Sequence, residues 1–199
     1  MKKTKFEKAL IKKAQKGDTQ SFEKIVRYYQ NAVFNLAFQT VNNYHLAQDI
    51  AQETFLKVWR SLSNYEPRAK FSTWLFKIAK NCCFDVLRKR TKYQVVLPSS
   101  EIYNPKFYSR PETNPSNLST EDSLGRDDLS EEIKFHLKNL SYDFKMVVFL
   151  KDIQGFSYRE IAEITDCPIG TVMSRLNRAH KILAERLRFI RSDEEVKNA

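Results

Sequence analysis

Ser157–Leu183 reads SYREIAEITDCPIGTVMSRLNRAHKIL, and its punctuation decides the fold. Ser157 and Glu160 have the S-x-x-E spacing in which each side chain can satisfy the other's unpaired backbone N–H at a helix start. Ile161, Ala162 and Ile164 supply an inward face. Thr165, Asp166 and Cys167 interrupt the pattern, and Pro168 suits the first turn of a second helix, where its missing N–H would have had no partner. Val172, Leu176, Ala179, Ile182 and Leu183 then resume the 3.6-residue period. So short a connection makes the two helices cross steeply, and the small Ala162 lets them come close: a helix-turn-helix.

The second helix leaves Thr171, Met173, Ser174, Arg175, Asn177, Arg178 and Lys181 facing outward. Such a mixture can hydrogen-bond to base edges and neutralise phosphates from within a major groove. A helical hairpin with a solvated basic face would carry many of the same residues. Capping box, short turn, proline start and basic face together favour duplex DNA.

Outward from this motif the chain stays helical in pattern. It holds only four glycines and six prolines in 199 residues. Lys5–Gln15 reads as a short amphipathic helix closed by Gly17. Asp18 or Thr19 can cap a second, whose apolar positions are Phe22, Ile25, Val26, Tyr29, Val33 and Leu36. A third runs from Tyr44 to Ser61 on Leu46, Ile50, Phe55 and Val58, and a fourth from Phe71 to about Arg90. Between Thr91 and Ser130 lie Pro98, Pro105, Pro111 and Pro115 among Ser, Asn and Thr, which excludes a long helix and reads as a linker. Helical patterning resumes at Glu131. The expected architecture is all-α: a module over 1–90, a linker over 91–130, and a helix-turn-helix module over 131–199.

Charge divides along the same lines. Residues 1–90 carry +11, residues 91–130 carry −2 and residues 131–199 carry +1, giving the total of +10. A basic first module points to a polyanionic partner. No apolar run approaches the ~20 residues of a membrane span, and the N-terminus lacks a signal-peptide core, so a cytoplasmic location without membrane insertion is expected. Cys82, Cys83 and Cys167 form no ligand spacing with the scattered His45, His136 and His180. Neither a metal, a cofactor nor a disulfide framework is expected, and buried or part-buried thiols are.

The fourth helix, FSTWLFKIAKNCCFDVLRKR (71–90), places Leu75, Ile78, Ala79, Cys82 and Val86 on a core stripe. Trp74, Lys77, Asn81 and Arg88 share a different face. An aromatic, an amide and two cations along one ridge suit a single strand, its bases stacking and its phosphates tracked by the cations. A core tryptophan beside two solvated cations would give the same letters. On the third helix, Asp49 and Glu53 share a face with Lys57, flanked by Gln52 and Arg60. That face is either an exposed, ion-paired surface or a dock for a basic partner helix.

Taken together, DIAQETFLKVWRSL (49–62), FSTWLFKIAKNCCFDVLRKR and SYREIAEITDCPIGTVMSRLNRAHKIL resemble regions 2.2, 2.3–2.4 and 4.2 of the extracytoplasmic-function sigma factors of bacterial RNA polymerase. The resemblance spans about 5–90 and 131–188. It implies a factor that binds core polymerase and starts transcription at chosen promoters. Asp49, Gln52 and Glu53 would engage the β′ clamp helices, and the β flap is a further implied contact on core polymerase. Asn81, with the 63–70 loop and its Tyr65, would hold a base flipped from the melted −10 element, supported by Trp74, Lys77 and Arg88. Thr171, Met173, Ser174, Arg175, Asn177, Arg178 and Lys181 would meet the −35 element as duplex. An anti-sigma factor is the implied regulator, and no small-molecule substrate is. Met173 and Asn177 stand where some relatives have Arg and an aromatic.

A stand-alone helix-turn-helix regulator would share the second module but use the first as a ligand pocket or dimer interface. An enzyme would need more than Asp49 and Glu53: no positioned histidine, glycine-rich phosphate loop or nucleophile elbow accompanies them.

Overall fold

The computed structural model describes residues 2–94 and 140–197, with side chains for 7–89 and 140–185. Every regular element among them is helical: α1 (Lys2–Ala14), α2 (Thr19–Val41), α3 (Tyr44–Ser61), a 3-10 turn (Leu62–Asn64), α4 (Phe71–Gln94), α5 (Tyr142–Val148), a π-helical turn (Phe149–Ile153), α6 (Tyr158–Thr165) and α7 (Ile169–Lys197). Of the linker expected over 91–130, residues 91–94 belong instead to the end of α4, while the rest of it and the expected helical restart at Glu131 lie outside the described residues.

Local chemistry sets the boundaries. Gly17, at φ 91°, turns the chain between α1 and α2 in a conformation that L side chains rarely adopt. Asp18, not Thr19, is the N-cap of α2: its carboxylate accepts from Gln20 N (3.2 Å) and from Ser21 Oγ (2.6 Å). Asn43 caps α3 by accepting from Leu46 N at 3.0 Å. Gln15 falls outside α1 rather than ending it. Its side-chain amide donates to the carbonyls of Leu62 (3.1 Å) and Tyr65 (2.8 Å), tying down the turn after α3. α4 continues past the expected stop near Arg90 to Gln94, since its sequence meets no helix breaker before Pro98.

α2 is the spine of the first module. Ile25, Tyr29, Val33 and Leu36 are buried against Phe55 and Val58 of α3 and Leu75 and Ala79 of α4. In the second module Val147, Leu150, Ile161, Ile164, Val172 and Ala179 are fully enclosed. Each of the Val, Leu and Ile side chains among them contributes roughly 1.5–3 kcal/mol relative to leaving it in water.

The two modules also pack on each other. The side of α4 facing α6 carries Phe76, 1% exposed, whose ring meets Phe156 edge-on at 5.2 Å. Phe84 lies 6.2 Å from Tyr142 of α5, which also packs against the cluster of Ala37, Val41, Ala47, Ile50, Cys82 and Cys83. The sequence predicts modules on a tether. The structure adds a buried apolar contact between them.

Candidate nucleic-acid interface

α4 carries the first candidate surface. Asn81 is exposed and stands on the rim of an open cleft of about 460 Å³ between α3 and α4. Lys57, Arg60, Ser61, Ile78 and Asp85 complete its lining. The Asn81 Oδ1 accepts from Lys80 Nζ at 3.1 Å, and the amide of this exposed residue also carries two N–H donors. Lys57 bridges the cleft, 3.8 Å from Glu53 and 3.7 Å from Asp85. Burial works against its charge, yet Cys82, Asp85 and Glu53 around it hold the ammonium above its ordinary pKa. Arg88 is exposed and reaches Asp85 at 3.3 Å.

The aromatic members of the predicted ridge are turned inward. Trp74 is half-buried, 4.9 Å from the Tyr65 ring and 5.6 Å from Phe71. Tyr65 is buried, and its hydroxyl donates to Ala69 O at 2.8 Å. Burial, followed by the Glu7 charge, pushes that hydroxyl's pKa up. Tyr65 thus anchors the loop after α3 and leaves Ser63, Asn64, Glu66, Pro67 and Arg68 outermost. The structure therefore brings Lys77, Asn81 and Arg88 together along α4, with Trp74 packed at one end. Sequence reading placed Lys57 and Arg60 with the α3 face of Asp49 and Glu53 and left Ser61 out, because the approach of all three to Asn81 depends on how α3 crosses α4.

On α3, Asp49, Gln52 and Glu53 are all exposed. Leu56 joins them, 42% exposed and at i, i+3, i+4, i+7 from Asp49. Its position off the stripe of Phe55 and Val58 was the available signal. A leucine at the C-terminal end of this acidic ridge sets an exposed apolar side chain beside its carboxylates, a mixture that protein interfaces often use.

The helix-turn-helix follows the predicted chemistry. Ser157 N donates to Glu160 Oε2 (2.8 Å) and Glu160 N to Ser157 Oγ (3.3 Å), closing the capping box. Asp166 ends α6 in the left-handed region at φ 55°, and Pro168 precedes α7, its carbonyl accepting from Thr171 N and Val172 N. Met173, Ser174, Asn177, Arg178 and Lys181 are exposed on one side of α7, and Thr171 is half-buried. Arg175 is more committed: its Nη2 donates to Asp143 at 2.6 Å, pinning α5 to α7. Ile169, 43% exposed, lies one turn before Met173 and extends the apolar part of this face.

Among the described residues no cluster of His, Cys, Asp or Glu could hold a metal ion, and no helix is long and apolar enough to cross a membrane.

Both modules have counterparts among known proteins. Residues 25–93 match the model of sigma-70 region 2, and residues 134–183 that of sigma-70 region 4. The chain is 32% identical over 186 residues to the ECF RNA polymerase sigma-E factor of Haemophilus influenzae, covering 91% of this chain and 95% of that one. It is also 32% identical over 182 residues to the ECF RNA polymerase sigma factor SigW of Bacillus subtilis, covering 91% and 96%. Among solved structures, the sigma factor RpoE bound to the anti-sigma factor NepR from Bartonella quintana matches with a TM-score of 0.63 at 27% identity, over 85% of this chain and 98% of that one. CnrH in complex with the cytosolic domain of CnrY matches in fold, with a TM-score of 0.64 at 21% identity, over 92% and 97%.

Proposed function

The chain belongs to the sigma-70 family, in its extracytoplasmic-function (ECF) group, and from that premise we propose how its surfaces divide the work of directing RNA polymerase to specific promoters. The module over 1–90 binds core polymerase and the melted −10 element, the segment 91–130 tethers, and the module over 131–199 reads the −35 element as duplex.

The observation that carries the residue-level reading is the cleft between α3 and α4 with Asn81 at its rim and Lys57 and Arg60 beside it. A base turned out of the stack needs a recess, a donor and acceptor pair for its edge, and cations for the flanking phosphates. Asn81 reads the base edge, Lys57 and Arg60 hold the backbone, and Lys77 and Arg88 extend the track. Trp74 and Tyr65 act from behind, Tyr65 by fixing the loop and Trp74 by presenting its open edge. Asp49, Gln52 and Glu53, with Leu56 at the end of their ridge, dock on the clamp helices of the β′ subunit. Exposed Met173, Ser174, Asn177, Arg178 and Lys181, with Thr171, meet the −35 duplex, while Arg175 reads it from a position braced by Asp143. The β flap holds the second module, and an anti-sigma factor silences the chain by covering both modules.

Replacing Asn81 by Ala tests the central role. An amide paired with a base edge is worth about 1–3 kcal/mol. Promoter opening, followed by fluorescence of a base analogue in the −10 strand, is expected to fall roughly tenfold or more. Affinity for core polymerase is expected to stay unchanged. Equal loss in both assays would overturn the assignment.

A further inference from the structure

The contact between the modules is aimed at the single-strand ridge. Asp166, in the turn of the helix-turn-helix, places one carboxylate oxygen 2.5 Å from Lys77 Nζ and the other 3.1 Å from Lys80 Nζ. Two ammonium groups gripping the two oxygens of one anion is how a phosphate would be held. Lys80 is left only 15% exposed in its side chain. Beside this pair, Lys70 at the foot of α4 reaches Glu160 at 2.9 Å, and Phe76 meets Phe156. The exposed side of α7 lies free of these contacts.

The backbone at Asp166 adds an independent observation. Its φ of 55° is a helix-ending conformation that glycine adopts most easily, with Asn and Asp the next most tolerant. A carboxylate at this position has less backbone freedom than a glycine would. What it gains is the bond to Lys77 and Lys80. Burial raises the carboxyl's pKa, but the hydrogen bonds from Lys77 and Lys80 outweigh it and hold the group below its ordinary value. It is charged at neutral pH, as a phosphate mimic must be.

We propose that Asp166 is an internal competitor for single-stranded DNA: in the free chain it occupies the phosphate positions of Lys77 and Lys80, and the melted strand must displace it. The proposal rests on the assignment of the α4 ridge to single-stranded DNA. It makes the helix-turn-helix module a guard on the first module as well as a reader of duplex.

The full chain without polymerase is the test, with a fluorescent single-stranded A/T-rich oligonucleotide as probe. Asp166→Asn keeps the side chain's size, tolerates the left-handed backbone and removes only the charge. It is expected to raise affinity for the oligonucleotide about three- to tenfold, the scale of two part-exposed ion pairs. Asp166→Gly, which relaxes the backbone, is expected to raise it equally, with thermal melting showing that both variants fold. In parallel, carbodiimide coupling is expected to join Lys77 or Lys80 to Asp166 in the parent chain, and saturating oligonucleotide to suppress that amide. Absence of the amide would overturn the closed arrangement while leaving the proposed function standing. If Lys77→Ala weakens oligonucleotide binding but Asp166→Asn leaves it unchanged, the ridge stands and the competitor is overturned. If neither Lys77→Ala nor Asp166→Asn changes binding, the single-strand assignment itself fails and takes the proposal with it.

Discussion

Cys83 lies among Ala37, Val41, Ala47 and Ile50 with no exposed surface. Burial, ahead of the opposing hydrogen bond with Thr40, pushes its thiol up to about 12, so it stays protonated and unreactive at neutral pH. Cys82 is buried beside it, whereas Cys167 is half-exposed in the helix-turn-helix turn. Iodoacetamide at pH 8 is therefore expected to modify Cys167 in the native chain, and Cys82 and Cys83 only after denaturation. Equal labelling of all three, read by mass spectrometry, would contradict this packing. That the thiols serve the core was legible from their place on an apolar helix. That Cys83 adds a buried position beyond the predicted stripe was not, because its lid comes from α2 and from Tyr142, more than fifty residues on.

At the scale of elements, what could be read was what is local. The capping box, the proline before α7 and the bounds of α3 depend on neighbours within a few residues, and each formed as its sequence implied. Glu160 shows what local reading leaves out. Its carboxylate closes the box and also pairs with Lys70 of the other module at 2.9 Å. Burial pushes its pKa up, but Lys70 and Ser157 more than reverse this and hold it below the ordinary 4.5. A lowered folded-state pKa means that the carboxylate's contribution is complete above the unfolded value and fades as pH falls through the folded one. Glu160→Gln is thus expected to melt lower than the parent at pH 7, with the gap closing as acid protonates the parent's carboxyl below the ordinary carboxylate range. A gap that held steady from neutral to acid pH would show that the charge does not matter. Ser157→Ala removes the other half of the box and is expected to cost about 1 kcal/mol, measured in urea. The two faces of α4 were the harder problem. Leu75 and Ala79 declare a core stripe, while Phe76 reads as a stray aromatic until α6 is laid against it.

The whole molecule carries the feature that no periodicity could forecast, the closure of one module on the other. That closure is not fully satisfied. The Tyr142 ring packs beside Phe84 and Cys83, yet its hydroxyl is buried without a hydrogen-bond partner. Leaving a buried hydroxyl unpaired costs about 1–3 kcal/mol, a cost relieved when the modules part and water reaches it. A contact built from Phe76, Phe156 and three ion pairs, but opposed by one orphaned hydroxyl, is suited to opening when a stronger ligand arrives. Tyr142→Phe keeps the ring and deletes the orphan, so it is expected to favour the closed arrangement. Affinity of the free chain for single-stranded oligonucleotide should then fall several-fold, opposite to the effect of Asp166→Asn. Tyr142 is on α5 and Asp166 in the turn after α6, with no shared partner, so the two changes should combine additively in free energy and the double variant lie near the parent. Small-angle scattering should track the same order, with Asp166→Asn the most extended and Tyr142→Phe the most compact. If Tyr142→Phe binds the oligonucleotide as well as the parent does, the hydroxyl has no part in holding the modules near balance, and the ion pairs alone set how readily the chain opens.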